Sequence, residues 1–421
     1  MNIAALGLGA TAIGVYALLS ARLSRSLISG PMFFAAVGVV AVAFGAVSAP
    51  TGDVTGTASV ALEMTLALVL FTDAMATTVA SWRDEGELPS RLLTFGMPLI
   101  IVAGALVAVA VFPELDIVGA AIVATLLAPT DAALGKPVVS NPRVPARIRA
   151  ALNIESGLND GIALPFLLFF IALAEAEEGG NLLTLLLSTI GISLVVGLAL
   201  GWAFARLIRA SSERGWMTPV WRQIAIAAAP VSVYVVADEL SGSGFIAAFV
   251  AGLTFGRLLL ESYPDVADFG EDLAEILTMV SFMIFGGLIL QPRFGDFTWE
   301  MLLYAVLSLT IIRMVPVAIA MIGTHLRPPS LLYLGWFGPR GLASLIFAAI
   351  VIEEAAIPNT DLIVTVVTLT VALSILLHGI TAAPGANAYG DWYERQDQDH
   401  DTMHESKAVE STQQRRRIAR S

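Results

Sequence analysis

Apolar residues occur along this chain in long blocks, separated by short clusters of charged residues, glycine and proline. Many blocks approach about 20 residues, the length that one helix needs to cross the hydrocarbon core of a bilayer. The pattern predicts an all-α polytopic membrane protein with about thirteen transmembrane helices. The predicted spans are 2–21, 27–48, 59–80, 90–111, 117–138, 150–174, 182–205, 219–238, 244–260, 270–290, 300–322, 330–353 and 360–382.

The composition of the chain agrees with this reading. Hydrophobic residues make up 57% of the 421 residues and charged residues 14%, and the mean hydropathy is +0.79. Soluble domains average about 45–50% apolar and about 25% charged residues. A soluble enzyme, a nucleic-acid binder and a disordered chain are therefore disfavoured. Because the chain has no cysteine, disulfides, thiolate zinc sites and iron–sulfur clusters are excluded.

The basic residues between the spans predict an orientation. One alternate set of connections holds fourteen of them: Arg22, Arg25, Arg83, Arg91, Lys136, Arg143, Arg147, Arg149, Arg206, Arg209, Arg214, Arg222, Arg257 and Arg327. The opposite set holds Arg293. Cytoplasmic loops collect Lys and Arg. We therefore expect a multi-pass protein of the cell membrane, with the N-terminus outside and the C-terminus in the cytoplasm.

The last residues of the chain, about 386–421, differ in composition from the rest. They are polar and predict a disordered cytoplasmic tail. A weak contact between anionic lipid and Arg415, Arg416 and Arg417 is a sharper alternative. His400 and His404 lie four residues apart, but two histidines in a flexible acidic tail form a poor metal site.

Six charged residues lie inside predicted spans: Asp73, Asp131, Glu155, Asp160, Arg313 and Arg340. Unpaired at mid-membrane, they would cost on the order of 15–20 kcal/mol. Two arginines can compensate two carboxylates. The two carboxylates that remain predict a site for a cation or a proton.

Two predicted spans carry helix breakers at the depth of these charges. Span 5 holds Pro129 before Thr130 and Asp131, and span 12 surrounds Arg340 with Gly338, Pro339 and Gly341. Proline removes a backbone donor, so each helix should open there. Interrupted helices at corresponding positions of two halves are typical of transporter binding sites. The pattern predicts inverted repeats, spans 1–6 and 8–13; two unrelated proline kinks are the alternative.

Span 6 places polar residues in two columns. Ser156 and Asp160 stack on one stripe of the helix, and Glu155 and Asn159 stack on a second stripe roughly 100° away. We expect Ser156 and Asp160 to bind a cation together with Thr130 and Asp131 of the opened span 5. Glu155 and Asn159 are expected to face the other way and to accept Arg313 of span 11.

Three motifs carry a family resemblance: APTD at 128–131, NIESGLNDG at 153–161 and GPRG at 338–341. With them, residues 1–385 resemble the monovalent cation/proton antiporters of the sodium/proton exchanger type (NhaP-like). The resemblance implies a homodimer in which a core, about 90–174 and 300–382, moves against a scaffold, about 1–80 and 219–290. In the core, the opened helices 5 and 12 cross.

The resemblance also assigns roles to single residues. Asp160 takes either a cation or a proton, while Thr130, Asp131 and Ser156 share the coordination. Glu155, Asn159 and Arg313 match a stabilising network, and relatives with an Asn-Asp pair exchange cation and proton one for one without net charge. In span 3, Asp73 stands where relatives often carry glutamate; Glu63 is an alternative second acid.

The expected activity is therefore secondary active exchange of Na⁺, Li⁺ or K⁺ for H⁺, serving pH and cation homeostasis, with no cofactor. The expected partners are membrane lipids and a second copy of the chain, and nucleic acid is not expected. A cation-coupled symporter of an organic anion, with Arg340 facing the anion, is the first alternative. A channel is disfavoured because no filter-like segment is visible. An enzyme is disfavoured because HExxH, GxSxG and cysteine are absent and His325 and His378 lie beside no nucleophile.

Overall fold

The computed structural model describes residues 3–23, 26–46, 57–77, 86–176, 182–353, 357–396 and 403–406. Within these ranges the chain is helical and contains no strand. The helices are numbered here by the predicted span on which they lie, and the letters a and b mark the two parts of an interrupted helix.

The first seven helices are α1 Ile3–Leu23, α2 Gly30–Ala43, α3 Thr57–Ala76, α4 Glu87–Val111, α5a Ile117–Leu126 with α5b Ala132–Val139, α6 Ala146–Ala176 and α7 Leu182–Glu213. The next three are α8 Pro219–Glu239, α9 Gly244–Leu259 and α10 Asp265–Ile284, which continues through a π turn, Phe285–Leu290. The last three are α11a Trp299–Leu309 with α11b Ile311–Ala320, α12a Pro328–Trp336 with α12b Leu342–Glu353, and α13 Thr360–Glu394.

Helix lies on each predicted span, and the predicted openings of spans 5 and 12 are confirmed by the gaps at 127–131 and 337–341. Among the described residues, 8 helices are long and apolar enough to cross a membrane, and further apolar helices are shorter. Several apolar helices in one chain are what a multi-pass membrane protein requires. A third interruption, at Thr310 between α11a and α11b, was not predicted.

Contacts between connections separate two ends of the molecule. At one end, Arg147 at the start of α6 pairs with Glu87 at the start of α4, with Nη2 and Oε2 2.6 Å apart. At the other end, Asn359 before α13 donates to the carbonyl of Glu114, which follows α4. The starts of α4 and α6 therefore share one end, as expected for two helices that follow alternate connections.

Apolar side chains of neighbouring helices in the described ranges pack into three clusters. One apolar cluster joins α3, α7, α8 and α9. There Gly252 of α9 lies so close to the backbone of Phe71 in α3 that a Cβ atom would collide with the Phe71 carbonyl. Small residues permit such close helix approach in membranes. A larger cluster connects α4 to α6 and α11a to α13 with residues of α1, α2, α3, α9 and α10. The predicted division into scaffold and core stays a prediction.

The expectation of a disordered tail from residue 386 is wrong for the described part of that segment. Helix α13 continues to Glu394, and residues 403–406 pack against the helical domain. Glu405 is 1% exposed, and its Oε1 accepts hydrogen bonds from Arg327 N (2.8 Å) and Ser330 Oγ (2.7 Å). A carboxylate at the N-terminus of α12a is stabilised by the partial positive charge of the helix end.

The other tail residues named above have different outcomes. His404 lies beside His325, with ring centroids 5.1 Å apart. His400, Arg415, Arg416 and Arg417 lie outside the described residues, and so do the predicted contacts that depend on them.

Candidate ion-binding site

The α5 interruption follows directly from its sequence. Helix α5a ends at Leu126, and Pro129 has no backbone donor with which to continue it. Asp131 then begins α5b as its N-cap, with an extended backbone (φ −86°, ψ 120°) and its Oδ1 accepting from Leu134 N at 2.8 Å. Aspartate is a preferred N-cap because its oxygen satisfies a backbone N–H that lacks a helical partner.

Asp131 also joins the two interrupted helices. Its backbone N–H donates to the Pro339 carbonyl (2.7 Å), and its Oδ2 accepts from Leu342 N (2.9 Å) at the start of α12b. One carboxylate thus serves the N-termini of both α5b and α12b, where negative charge is favoured. The glycine at 341 permits this approach, since a Cβ there would collide with the Asp131 carboxylate.

Arg340 has the complementary position at the crossing. It is fully buried, and its Nη1 donates to the carbonyls of Ala128 (2.7 Å) and Pro129 (3.1 Å), just beyond the C-terminus of α5a. A cation is stabilised at that end of a helix. The guanidinium is directed to backbone carbonyls, and Arg340 does not line the central cavity described below. The predicted role of Arg340 in an organic-anion symporter therefore has no support.

Helix α6 places two polar residues against the opened segment of α5. Ser156 Oγ lies 3.0 Å from Thr130 Oγ1, and Asn159 Nδ2 donates to Thr130 Oγ1 at 2.6 Å. The expectation that Asn159 faces Arg313 is therefore wrong. Sequence spacing fixes the direction of the Cα–Cβ bond, whereas the side-chain torsions determine which partner the amide reaches.

The predicted pair of Glu155 with Arg313 is present. Arg313 Nη1 and Nη2 donate to Glu155 Oε1 and Oε2 at 2.6 and 2.9 Å, and both side chains are buried. Paired hydrogen bonds of this kind match the fork of the guanidinium to the carboxylate. Gly338 makes room for the pair, because a Cβ there would collide with the Arg313 guanidinium. This carboxylate is fully compensated inside the protein.

Asp160, Asp131 and Asp73 line one cavity of about 1070 Å³. Asp160 is 7% exposed, and its buried Oδ1 has no hydrogen-bond partner among the described residues. Buried polar oxygens usually have a partner, so an unpartnered one requires an explanation. A bound proton or cation would supply that partner.

The remaining predicted ligands differ in position. Thr130 and Ser156 form their hydroxyl pair outside the residues that line the cavity. Asp73 lines the cavity, whereas Glu63 accepts from Tyr234 OH at 3.1 Å and is not a lining residue. Within the described ranges, no three carboxylate or imidazole groups are gathered closely enough to hold a metal ion together.

Three further charged residues of the cavity wall were not predicted. Glu271 and Glu275 of α10 line the cavity together with Lys136 of α5b, and Lys136 pairs with Glu275. The only available signal was their place near the ends of spans 5 and 10, and that spacing does not show which connections meet.

Comparison with known proteins identifies the family. The profile of the sodium/hydrogen exchanger transmembrane domain matches residues 9–388. The chain belongs to the sodium/hydrogen exchanger family. The chain is 25% identical to the K⁺/H⁺ antiporter NhaP2 of Shewanella sp. (strain ANA-3), over 90% of this chain and 66% of that protein. It is 26% identical to the K⁺/H⁺ antiporter NhaP of Alkalimonas amylolytica, over 77% of this chain and 56% of that protein. The chain thus spans less than two thirds of the length of these curated relatives.

Solved structures support the fold of the chain. The sodium proton antiporter MjNhaP1 from Methanocaldococcus jannaschii at pH 8 aligns with a TM-score of 0.72 and 20% identity, covering 92% of this chain and 98% of that chain. A structure of the same antiporter from an electron-microscopy map aligns with a TM-score of 0.77 at 20% identity, over 93% and 98% of the two chains. The predicted all-α membrane fold is therefore confirmed.

Proposed function

We propose that the chain is a secondary active antiporter that exchanges a monovalent cation for a proton at Asp160. The observation that carries the proposal is the buried, unpartnered Oδ1 of Asp160 on the wall of the cavity that also exposes Asp131 and Asp73. On α5 and α6, Glu155 is paired with Arg313, and Asp131 accepts from two backbone N–H groups. Asp160 is the carboxylate of these two helices whose buried oxygen has no protein partner among the described residues.

The transport step follows from the cost of charge in an apolar barrier. A carboxylate that carries a proton or a monovalent cation is neutral, so the core can move with either ligand. An empty carboxylate would carry uncompensated charge past apolar residues, at about 2.5–3.5 kcal/mol or more. This penalty holds the empty core in place and couples the two fluxes. Because the Asp160 carboxylate binds either the cation or the proton, the core carries one ligand in each direction and exchanges the two.

The proposed stoichiometry is one cation for one proton, without net charge movement. Position 159, next to the binding carboxylate, is an asparagine whose amide donates to Thr130. An amide adds neither a charge nor a titratable proton. Of Asn159 and Asp160, Asp160 alone is ionisable, so each transport cycle exchanges one monovalent cation for one proton.

The transported cation is proposed as a class, Na⁺, Li⁺ or K⁺. Two curated relatives are named K⁺/H⁺ antiporters, and the solved neighbour is named a sodium proton antiporter. The oxygen ligands proposed here, from Asp160 and Asp131 with Thr130 and Ser156 behind them, suit any hard monovalent cation. Asp73 is proposed as a further acid on the entry path.

The placement in the cell also belongs to the proposal. The arginine-rich connections indicate a cytoplasmic side, and the cavity is lined there by Lys136, Ser140 and Asn141. We infer an inward-facing state in a cell membrane, with the N-terminus outside and the C-terminus inside. A homodimer with a moving core, inverted repeats and a role in pH homeostasis follow from family likeness. Lipids, some of them anionic and near the tail, are the other partners.

The test uses purified protein in liposomes with an imposed pH gradient and a trapped pH dye. Sodium, lithium, potassium and choline are added in turn to the wild type, Asp160→Asn and Glu63→Gln. Glu63 is the matched control, because it is a carboxylate of the same helical domain that does not line the cavity. We expect an inorganic cation to collapse the gradient in the wild type and in Glu63→Gln, and no collapse in Asp160→Asn. Normal turnover by Asp160→Asn would overturn the proposal.

A further inference from the structure

Two buried polar residues of α13 have no role in the function proposed above. Ser374 is fully buried and His378 is 1% exposed. They are four residues apart, so both side chains lie on one face of the helix. That face is directed at the α12 interruption, because both residues bond to the residues that border it.

The contacts reach both sides of the interruption. Arg340 N donates to Ser374 Oγ at 2.7 Å, just before α12b begins. His378 Nε2 lies 2.9 Å from the carbonyl oxygen of Trp336, the last residue of α12a. Ser374 Oγ lies 3.2 Å from His378 Nδ1 and connects the two contacts. Helix α13 therefore binds both ends of the segment 337–341 through one hydrogen-bonded chain.

The chemistry of the partners indicates which atom donates in each of these hydrogen bonds. A carbonyl oxygen only accepts, and Nε2 makes the shorter of the two carbonyl contacts of His378, so we assign the ring proton to Nε2, which donates to the Trp336 carbonyl. In the neutral ring, Nδ1 is then an acceptor and takes the hydroxyl proton of Ser374, whose oxygen accepts from Arg340 N. Nδ1 also lies 3.1 Å from the Ser374 carbonyl, a contact that adds no bond to the neutral ring.

The imidazole is also held by packing. The rings of His378 and Trp336 stack with centroids 5.1 Å apart and an interplanar angle of 26°. The indole Nε1 of Trp336 in turn donates to Thr381 Oγ1 of α13 at 3.0 Å. The end of α12a thus has a fixed position on α13.

We infer that His378 and Ser374 are positioning residues for the cation site and act on it through the segment 337–341. Asp131 bonds to Pro339 O with its backbone N–H and to Leu342 N with its carboxylate. If α13 releases that segment, Asp131 shifts with it. The inference rests on the proposed antiport function and extends it to residues that touch no ion.

The test compares the cation concentration for half-maximal exchange in liposomes. His378→Leu and Ser374→Ala are expected to raise it about tenfold, with a smaller change in maximal rate, because each removes a link that fixes Asp131. Ser374→Thr retains the hydroxyl and should recover the wild-type value. Thr370→Val is the matched control, since Thr370 is buried in the same helix and its hydroxyl donates to Val366 O.

Half-maximal concentrations equal to the wild type in both His378→Leu and Ser374→Ala would overturn the inference, even if both variants unfold at lower temperature. Ser374→Ala removes one oxygen atom and leaves the helix intact. If His378→Leu does not fold, the half-maximal cation concentration of Ser374→Ala alone tests the inference. The wild type in the same liposomes separates the two claims. Wild-type protein without exchange would overturn the proposed function itself, whereas exchange with unaltered variants would overturn only the role of α13.

Discussion

At the scale of single residues, two buried carboxylates of the site are held by protein partners. Glu155 has both oxygens on Arg313, and Asp131 has both oxygens on backbone N–H groups. Asp160 retains a buried oxygen with no partner in the described part of the chain. The exchange chemistry is therefore concentrated on one side chain, while the others hold the shape around it.

The ion pair gives a prediction about stability. Glu155→Gln leaves the Arg313 guanidinium buried without its counter-charge, and removing one partner of a buried pair costs about 3–5 kcal/mol. We expect a clear fall in the thermal unfolding temperature of the purified protein. Glu275→Gln is the control, because the Lys136–Glu275 pair is exposed and its loss should cost less than about 1 kcal/mol. Equal shifts in the two variants would contradict a structural role for Glu155.

The sequence predicted part of this residue-level arrangement. The partnership of Glu155 with Arg313 followed from the balance of buried charges and from the family likeness. The amide of Asn159 reached Thr130 instead of the predicted face, because torsions beyond Cβ are set by neighbours that are distant in the chain.

At the scale of helices, the interruptions at 127–131 and 337–341 determine the site. Pro129 and Pro339 mark them in the sequence, so both could be predicted from local chemistry. The break at Thr310 carries no proline or glycine of its own, and its backbone (φ −115°, ψ −94°) depends on tertiary packing. The hydrogen bonds that hold α12, from Asp131 and from α13, likewise join residues that are distant in the chain.

The crossing predicts a contrast between two glycines. Gly341→Ala places a methyl group against the Asp131 carboxylate, so it should displace Asp131 and abolish most cation-dependent collapse of the pH gradient. Gly135→Ala in α5b meets nothing within 4 Å and should stabilise the helix by about 0.5–1 kcal/mol. Exchange rates and unfolding temperatures of both variants test this. Wild-type exchange by Gly341→Ala would show that the crossing tolerates a shifted Asp131.

At the scale of the whole molecule, the helices bring five carboxylates to one cavity and group the connections at two ends. Hydrophobic blocks and arginine placement predicted the helical intervals and their alternation. They did not predict the packed residues 403–406, because tail composition does not reveal that Glu405 meets the N-terminus of α12a. Local patterns indicate where helices lie, whereas complementary charge between distant segments determines how they meet.

The central claim is that one carboxyl group binds a cation and a proton alternately. The most direct test measures the half-saturating cation concentration of wild-type protein in liposomes across a series of pH values, with the voltage clamped. Because protons compete for Asp160, this concentration should rise as the pH falls, approaching about tenfold per pH unit on the acid side, while the maximal rate stays nearly constant. A half-saturating concentration that does not change with pH, with only the maximal rate falling, would contradict the claim, since cation and proton would then bind at separate groups.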